Sequence, residues 1–303
     1  MKTMMGALFV GLCLAAIALP PARAAQSAPT LQELKNATYR GLEDTDGPVT
    51  LKDGQWAGKP FVEGGASRPT VSLVGDFRLT GDLDGDGSDE AAVLLVQDSG
   101  GSGSFYYLAV VARRNGKLEN VATRELGDRL GLRDARIEKG LLMLQLVQAG
   151  PKDAACCPGQ LVWRGWKLTS AGLKEQPALG KSERLSPDAM GGVTWVLRAW
   201  NHGQPAQRPP EITLVYKDGR FTGFSGCNQY FADVKPGEMP GDVKVGPLGA
   251  TRRACPDKET QAESRFQRQL SGVTQFGFMA TRLALGYSDG GAHRVMLFER
   301  RSP

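Results

Sequence analysis

Ile212-Thr-Leu-Val-Tyr-Lys-Asp-Gly-Arg-Phe-Thr-Gly-Phe-Ser-Gly-Cys-Asn-Gln-Tyr230 sets two β-branched and aromatic runs on either side of Lys217-Asp218-Gly219. Such runs split by an Asp-Gly pair read as a β-hairpin, because the turn needs positive backbone φ angles that Asp and Gly tolerate. The same pattern recurs outward in both directions. Val193 to Ala199 reads as a strand, and strands at about 276–287 and 293–299 close the chain. One helix interrupts them: Pro256 and Asp257 suit a helix start, and Ala262, Phe266 and Leu270 recur at four-residue spacing over 256–270. Upstream, Val71–Val74, Ala91–Gln97, Phe105–Ala112, Ile137–Val147 and Leu161–Leu168 are apolar runs bounded by glycine, with Asn115-Gly116 and Lys139-Gly140 as turns. Thr30-Leu-Gln-Glu33 is a capping box that opens a short helix through about Arg40. With 39 glycines in 303 residues, this pattern predicts a mainly β (β-rich α+β) fold made of two antiparallel β domains.

Residues 1–24 stand apart. Lys2 gives a positive start, Met5 to Leu19 form an apolar run, and Ala22-Arg23-Ala24 is a small-residue cleavage site. This predicts a signal peptide cut before Ala25. Cys13 follows Leu12 inside the apolar run, which disfavours a lipoprotein reading. No later stretch holds enough uncharged apolar residues to span a bilayer as a helix, so the mature chain is expected to lack a transmembrane segment. The remainder divides into a β-rich module at 25–168, a polar linker at 169–187 with Gly172, Pro177 and Gly180, and a second unit at 188–303. The net charge of +5 falls to +3 with the loss of Lys2 and Arg23, and the basic residues form no stripe, which argues against nucleic-acid binding.

Four cysteines remain after processing: Cys156, Cys157, Cys227 and Cys255. An even count in an exported chain argues for disulfides, and three pairings are open. Cys227–Cys255 is favoured, because it lies within the second unit and closes a loop worth about 3–4 kcal/mol in the chain-entropy account. Cys156 and Cys157 would then form a vicinal pair. Adjacent Cα atoms are about 3.8 Å apart, below the usual disulfide range, so such a bond is comparatively reducible. It reads either as a structural turn, as two free thiols, or as a redox pair.

Gly81-Asp-Leu-Asp-Gly-Asp-Gly-Ser-Asp-Glu90 is the sharpest local motif. Calcium takes oxygen ligands at alternate positions of a tight loop, with glycine at the sixth. Asp82, Asp84 and Asp86 take positions one, three and five, the Ser88 carbonyl seven, and Glu90 nine. Position twelve is Val93 rather than Glu, and an apolar strand follows instead of a helix. The loop therefore resembles the calcium loops of FG-GAP and integrin-type β repeats more than an EF-hand, although it stands here in a single copy. The competing expectation is a hairpin loop held by side-chain-to-backbone bonds. Five acidic groups within nine residues repel one another without a cation, so a weak calcium site is expected.

Signatures of catalysis are missing. Gly223-Phe-Ser-Gly-Cys227 has Cys227 where a nucleophile elbow needs glycine, and there is no P-loop, dinucleotide fingerprint or H-E-x-x-H. Only two histidines, His202 and His293, are available. No catalytic residue is assigned, and the protein is expected not to be an enzyme.

The second unit resembles a META domain, the family that includes the heat-shock protein HslJ. The resemblance rests on Trp195-Val-Leu197, Phe224-Ser-Gly-Cys-Asn-Gln-Tyr230, Leu248 to Thr251, Ala254-Cys255, Glu263, Phe266 and Leu270, and the closing Leu283-Ala-Leu285 and Val295-Met-Leu-Phe298. Arg253 departs from the family's usual apolar residue. The resemblance implies a cracked antiparallel barrel with one packed helix, cysteines at Cys227 and Cys255, and no established enzymatic activity. It also implies ties to envelope stress. Ser225, Gly226, Asn228 and Tyr230 are then either a functional patch or a structural turn, the turn being favoured. The first unit resembles an uncharacterised bacterial exported module through the acidic loop, Gly101-Ser-Gly-Ser-Phe-Tyr-Tyr107, Gly127-Asp-Arg129 and Cys156-Cys-Pro158. The expected function is a periplasmic, or alternatively secreted, binding module for a hydrophobic ligand or protein partner in the envelope. The alternatives are a calcium-stabilised interaction protein and a thiol-redox protein using Cys156 and Cys157.

Overall fold

The computed structural model describes residues 26–101, 103–154, 156–201 and 203–301. The expected signal peptide lies outside them. Helix α1 (Leu31–Leu34) opens on the Thr30 capping box, in which the Thr30 and Glu33 side chains each accept from the other's backbone amide. It is shorter than the expected run to Arg40. Tyr39 is fully buried in β1 (Thr38–Tyr39), which pairs with β2 (Val49–Thr50), and burying that ring outweighs another helical turn.

Six strands follow: β3 (Gln55–Ala57), β4 (Thr70–Leu73), β5 (Leu79–Gly81), β6 (Glu90–Asp98), β7 (Phe105–Arg114) and β8 (Lys117–Asp128). They form one antiparallel sheet in the order β3-β4-β6-β7-β8, with β5 also on β6. Ala92, Leu94, Leu108 and Val110 face one core, while Ala91, Val93, Leu95, Tyr107, Ala109 and Val111 face another against α1 and β2. With both faces buried, these strands read as continuous apolar runs rather than as an alternation.

The second sheet contains β9 (Gly131–Glu138), β10 (Leu141–Gln148), β11 (Gln160–Thr169), β12 (Gly172–Glu175) and β13 (Glu183–Arg184), in the order β12-β11-β10-β9 with β13 also on β11. Leu142, Leu144, Leu146 and Trp166 pack from it onto the first sheet as a sandwich. The stretch 169–187, expected as a linker, thus contributes two strands here, and Leu185 enters the next core. Its polar composition reflects edge strands that bury few side chains.

A 3-10 turn at Pro187–Met190 leads into the third sheet. Its strands are β14 (Thr194–Trp200), β15 (Gln204–Pro205), β16 (Thr213–Lys217), β17 (Arg220–Phe224), β18 (Gln229–Pro236), β19 (Val243–Val245) and β20 (Gly249–Ala250). After helix α2 (Asp257–Ser271) come β21 (Val273–Met279), β22 (Arg282–Asp289) and β23 (Ala292–Arg300). The path β19-β18-β17-β16-β14-β23-β22-β21 curls until its ends nearly meet. One seam separates β19 from β21, crossed by the Phe276 amide donating to the Gly241 carbonyl at 2.7 Å and by an Asp242–Gln275 bridge. The expected single strand over 276–287 is two strands. Ala280 and Thr281, both at positive φ, turn the chain there, and the Thr281 amide donates to the Leu132 carbonyl of the second sheet at 2.9 Å.

Side chains fill the barrel: Trp195, Leu214, Phe221, Phe266, Leu270, Leu283, Leu285 and Phe298 are all fully buried. Val147 and Leu161 of the second sheet share this core. Arg133 locks the contact by donating to the Ala189 carbonyl at 2.8 Å and the Gly191 carbonyl at 2.9 Å, while Arg300 donates to the Arg133 carbonyl at 2.7 Å.

Candidate functional site

Ser225 to Asn228 form the turn between β17 and β18. Gly226 sits at φ +110, which only glycine adopts without strain, and Gly223 passes so close to the Thr213 carbonyl that any Cβ would overlap it. Glu263 of α2 faces this turn. One of its oxygens accepts from the Ser225 hydroxyl and from the Asn228 amide at 2.9 Å; the other accepts from Asn228 Nδ2 at 3.0 Å. Asn228 Oδ1 accepts from the Thr251 hydroxyl and the Arg253 amide, at 2.9 and 2.7 Å. The Tyr230 hydroxyl donates to the Thr213 carbonyl at 3.0 Å, and burial pushes its pKa well up. Cys227 is bonded to Cys255, with Cα atoms 6.0 Å apart. Ser225, Asn228 and Tyr230 thus direct their polar groups at the protein itself, and the turn is stapled both to the helix and to the chain at 251–255. Arg253, the departure from the family pattern, donates its side chain to the Cys227 carbonyl at 2.8 Å.

The acidic loop is the tip of the β5–β6 hairpin, where Gly81 pairs with Glu90. Asp82 accepts from the Gly85 and Gly87 amides, Asp84 from Asp86, and Asp86 from Ser88. Oxygens of Asp82, Asp84 and Asp86 all lie within 4.8 Å of one another. The Ser88 side chain accepts from the Gln26 amide at 3.3 Å. Glu90 is 1% exposed; one oxygen accepts from the Leu83 amide at 2.9 Å, and burial raises its carboxyl above the usual range. Sequence reasoning missed Arg114, whose guanidinium bonds Asp84 and, at 2.6 Å, Asp86, and lies 3.7 Å from Glu90. The signal was there only in pairing. Ala91 opposes Val111 and Ala92 opposes Val110, so continuing that register sets Arg114 across from Ser88.

Cys156 and Cys157 are bonded to each other on the exposed loop between β10 and β11, their Cα atoms 3.8 Å apart. Asp153 braces the loop by accepting from the Gly150 and Gly159 amides, both at 2.8 Å, and the Gly150 bond leads the effects that lower its carboxyl pKa. Gly159 lies against Pro240, at the barrel seam.

A cleft of about 380 Å³ lies where the Ala280-Thr281 turn meets the first two sheets, lined by Phe77, Arg78, Asp134, Arg282, Glu299 and Arg300. A groove of about 320 Å³ runs between α2 and the β14–β16 region. Leu197, Trp200, Pro205, Ala206, Ile212 and Ala262 line it, and the Arg265 guanidinium covers the Trp200 ring at 4.3 Å.

The fold defines a class: a mostly β protein whose C-terminal part is a nearly closed, disulfide-stapled antiparallel barrel with one packed helix. Residues 188–302 match the family model of the META domain, and this part of the chain is a META domain. The chain is also similar to a solved structure described as the NMR structure of the protein from Burkholderia xenovorans. The two are 22% identical over 42% of this chain and 100% of that one, with a TM-score of 0.30. Among curated proteins, none matches. Two disulfides are consistent with an oxidising compartment, and among the described residues no helix is long and apolar enough to cross a membrane.

Proposed function

We propose that this is an exported, non-enzymatic protein of the cell envelope, periplasmic by preference, whose META barrel binds a hydrophobic ligand or an apolar segment of a partner protein. The groove beside α2 carries the reading. The barrel interior is filled by aromatic and aliphatic side chains, so an apolar ligand has to lie on the outside, and this groove has Trp200, Leu197 and Ile212, themselves nearly buried, at its base, with Pro205, Ala206 and Ala262 beside them and Gln204, Gln261 and Arg265 around its edge. A concave site that combines apolar side chains with a small number of placed polar groups is the usual form of a small-molecule pocket. The non-enzymatic reading is supported by the Ser225–Tyr230 turn, whose polar groups are engaged with Glu263, Thr251, Arg253 and Thr213.

Native mass spectrometry of the protein from its exported fraction identifies any ligand it carries, and N-phenylnaphthylamine titration locates the site. Ala206→Arg places a charged side chain in the groove. Probe binding is expected to fall on the order of tenfold or more while the urea midpoint stays in place. Equal probe binding by the variant refutes the groove.

A further inference from the structure

We propose that Asp82, Asp84 and Asp86 form a divalent-cation site that the Arg114 guanidinium fills in the metal-free protein, so that calcium binds only by displacing Arg114.

Two oxygens that each lie about 2.4 Å from a common calcium ion are at most about 4.8 Å apart. The oxygens of Asp82, Asp84 and Asp86 meet that limit; Glu90 stands outside this group and adds its charge beside it, 3.7 Å from Arg114. Backbone amides of Gly85, Gly87, Asp86 and Ser88 hold these three carboxylates in place, so the site is built before any ion arrives. Glu90 is the independent observation. Its second oxygen is buried and accepts no hydrogen bond, although the residue is only 1% exposed. That oxygen is on the loop side, 3.7 Å from the same Arg114 nitrogen that bonds Asp84. A buried carboxylate oxygen without a donor is costly and calls for a cation.

Arg114 meets this demand in part. Its fork reaches Asp84 and Asp86, stands too far from Glu90 for a hydrogen bond, and brings one positive charge to four carboxyl groups. Calcium brings two charges and accepts six to eight oxygen ligands without strict geometry, whereas magnesium demands a tight octahedron. Arg114 is the last residue of β7, beside the Asn115-Gly116 turn, with its side chain 25% exposed, and it can swing into solvent when displaced. The loop also grips the start of the mature chain, through Gln26 on Ser88 and Asp89. Exchange of one cation for the other therefore acts on both the hairpin tip and the N-terminal segment.

The test is calorimetric titration of calcium chloride alone into chelator-treated mature protein, for wild type, Arg114→Gln and Arg114→Gln/Asp84→Asn. Removing two charge-assisted bonds that compete with the ion predicts that Arg114→Gln binds calcium on the order of tenfold more tightly than wild type. Asp84→Asn in that background is expected to abolish the gain. Arg114→Lys, which keeps the charge but not the fork, also binds more tightly than wild type and carries the test if Arg114→Gln fails to fold. Equal affinities with and without Arg114, or no binding by any variant at about 10 mM calcium, overturn the proposal; that concentration lies well above the range of weak extracellular sites.

Discussion

Replacing Glu263 tests whether the Ser225–Tyr230 turn is structural or a binding patch. Glu263→Ala removes the acceptor of three donors: the Ser225 hydroxyl, the Asn228 amide and Asn228 Nδ2. They are not equally stranded. The Ser225 hydroxyl retains the Asn228 carbonyl at 2.9 Å, and Nδ2 retains the Cys227 sulfur at 3.1 Å. The Asn228 amide loses the one acceptor described for it. A stranded buried donor costs about 1–3 kcal/mol and a weakened one less, so the loss comes to about 2–3 kcal/mol. Glu263→Gln keeps one oxygen but turns an NH2 group toward Asn228 Nδ2. Asn228 cannot flip to receive it, because its oxygen already holds Thr251 and Arg253. The glutamine variant should therefore cost about 1 kcal/mol, between wild type and alanine. Urea unfolding followed by circular dichroism gives both values, and a cycle with Asn228→Ala should show coupling above about 1 kcal/mol, as expected within one network. A loss below about 0.5 kcal/mol for Glu263→Ala, or weaker probe binding by Asn228→Ala at unchanged stability, would refute the structural role.

Two further outcomes follow from the geometry. The Thr30 backbone amide, with Arg113 beside it, holds the Glu33 carboxyl at about 2. A carboxyl depressed in the folded state adds stability above its unfolded pKa of about 4.3 and loses it as the pH falls toward the folded value. Glu33→Gln should thus cost about 1 kcal/mol at neutral pH, discounted for its partial exposure, and progressively less from about pH 4.3 to 2, read as urea midpoints across pH. The Cys227–Cys255 bond spans a sequence separation of 28, so the double serine variant should lose about 3–4 kcal/mol in the same assay, in the chain-entropy account.

Much of the β architecture is legible in the sequence because its signals are local. Asn115-Gly116, Lys139-Gly140 and Asp218-Gly219 all adopt positive φ and turn the three hairpins expected of them. Helix α2 buries Phe266 and Leu270, the positions its period marks. The sharpest of the motifs that carry the META resemblance, Phe224 to Tyr230, is a turn whose glycine, Gly226, is needed for backbone reasons, which is why it is short.

Other features depended on partners far away in the chain. The break at Ala280-Thr281 carries no glycine; it is held by Leu132, more than a hundred residues earlier. Helix α1 stops short because Tyr39 has a core to enter, and 169–187 gains strands because β11 has an edge to offer. Glu263 was visible as one residue of a family pattern, yet its hold on Asn228 appears only when the helix lies on the turn. Arg114 reads as a surface charge beside a hairpin until the register of β6 and β7 sets it against the acidic loop. The sequence by itself determined where the chain turns, which faces are apolar, and which cysteines and carboxylates are available, since those follow from backbone angles and side-chain chemistry within a few residues. The tertiary structure alone decided which charge meets which carboxylate, and that the barrel is filled while the groove beside α2 lies outside it. Those outcomes are set by strand register and packing between residues distant in sequence, which no local pattern encodes.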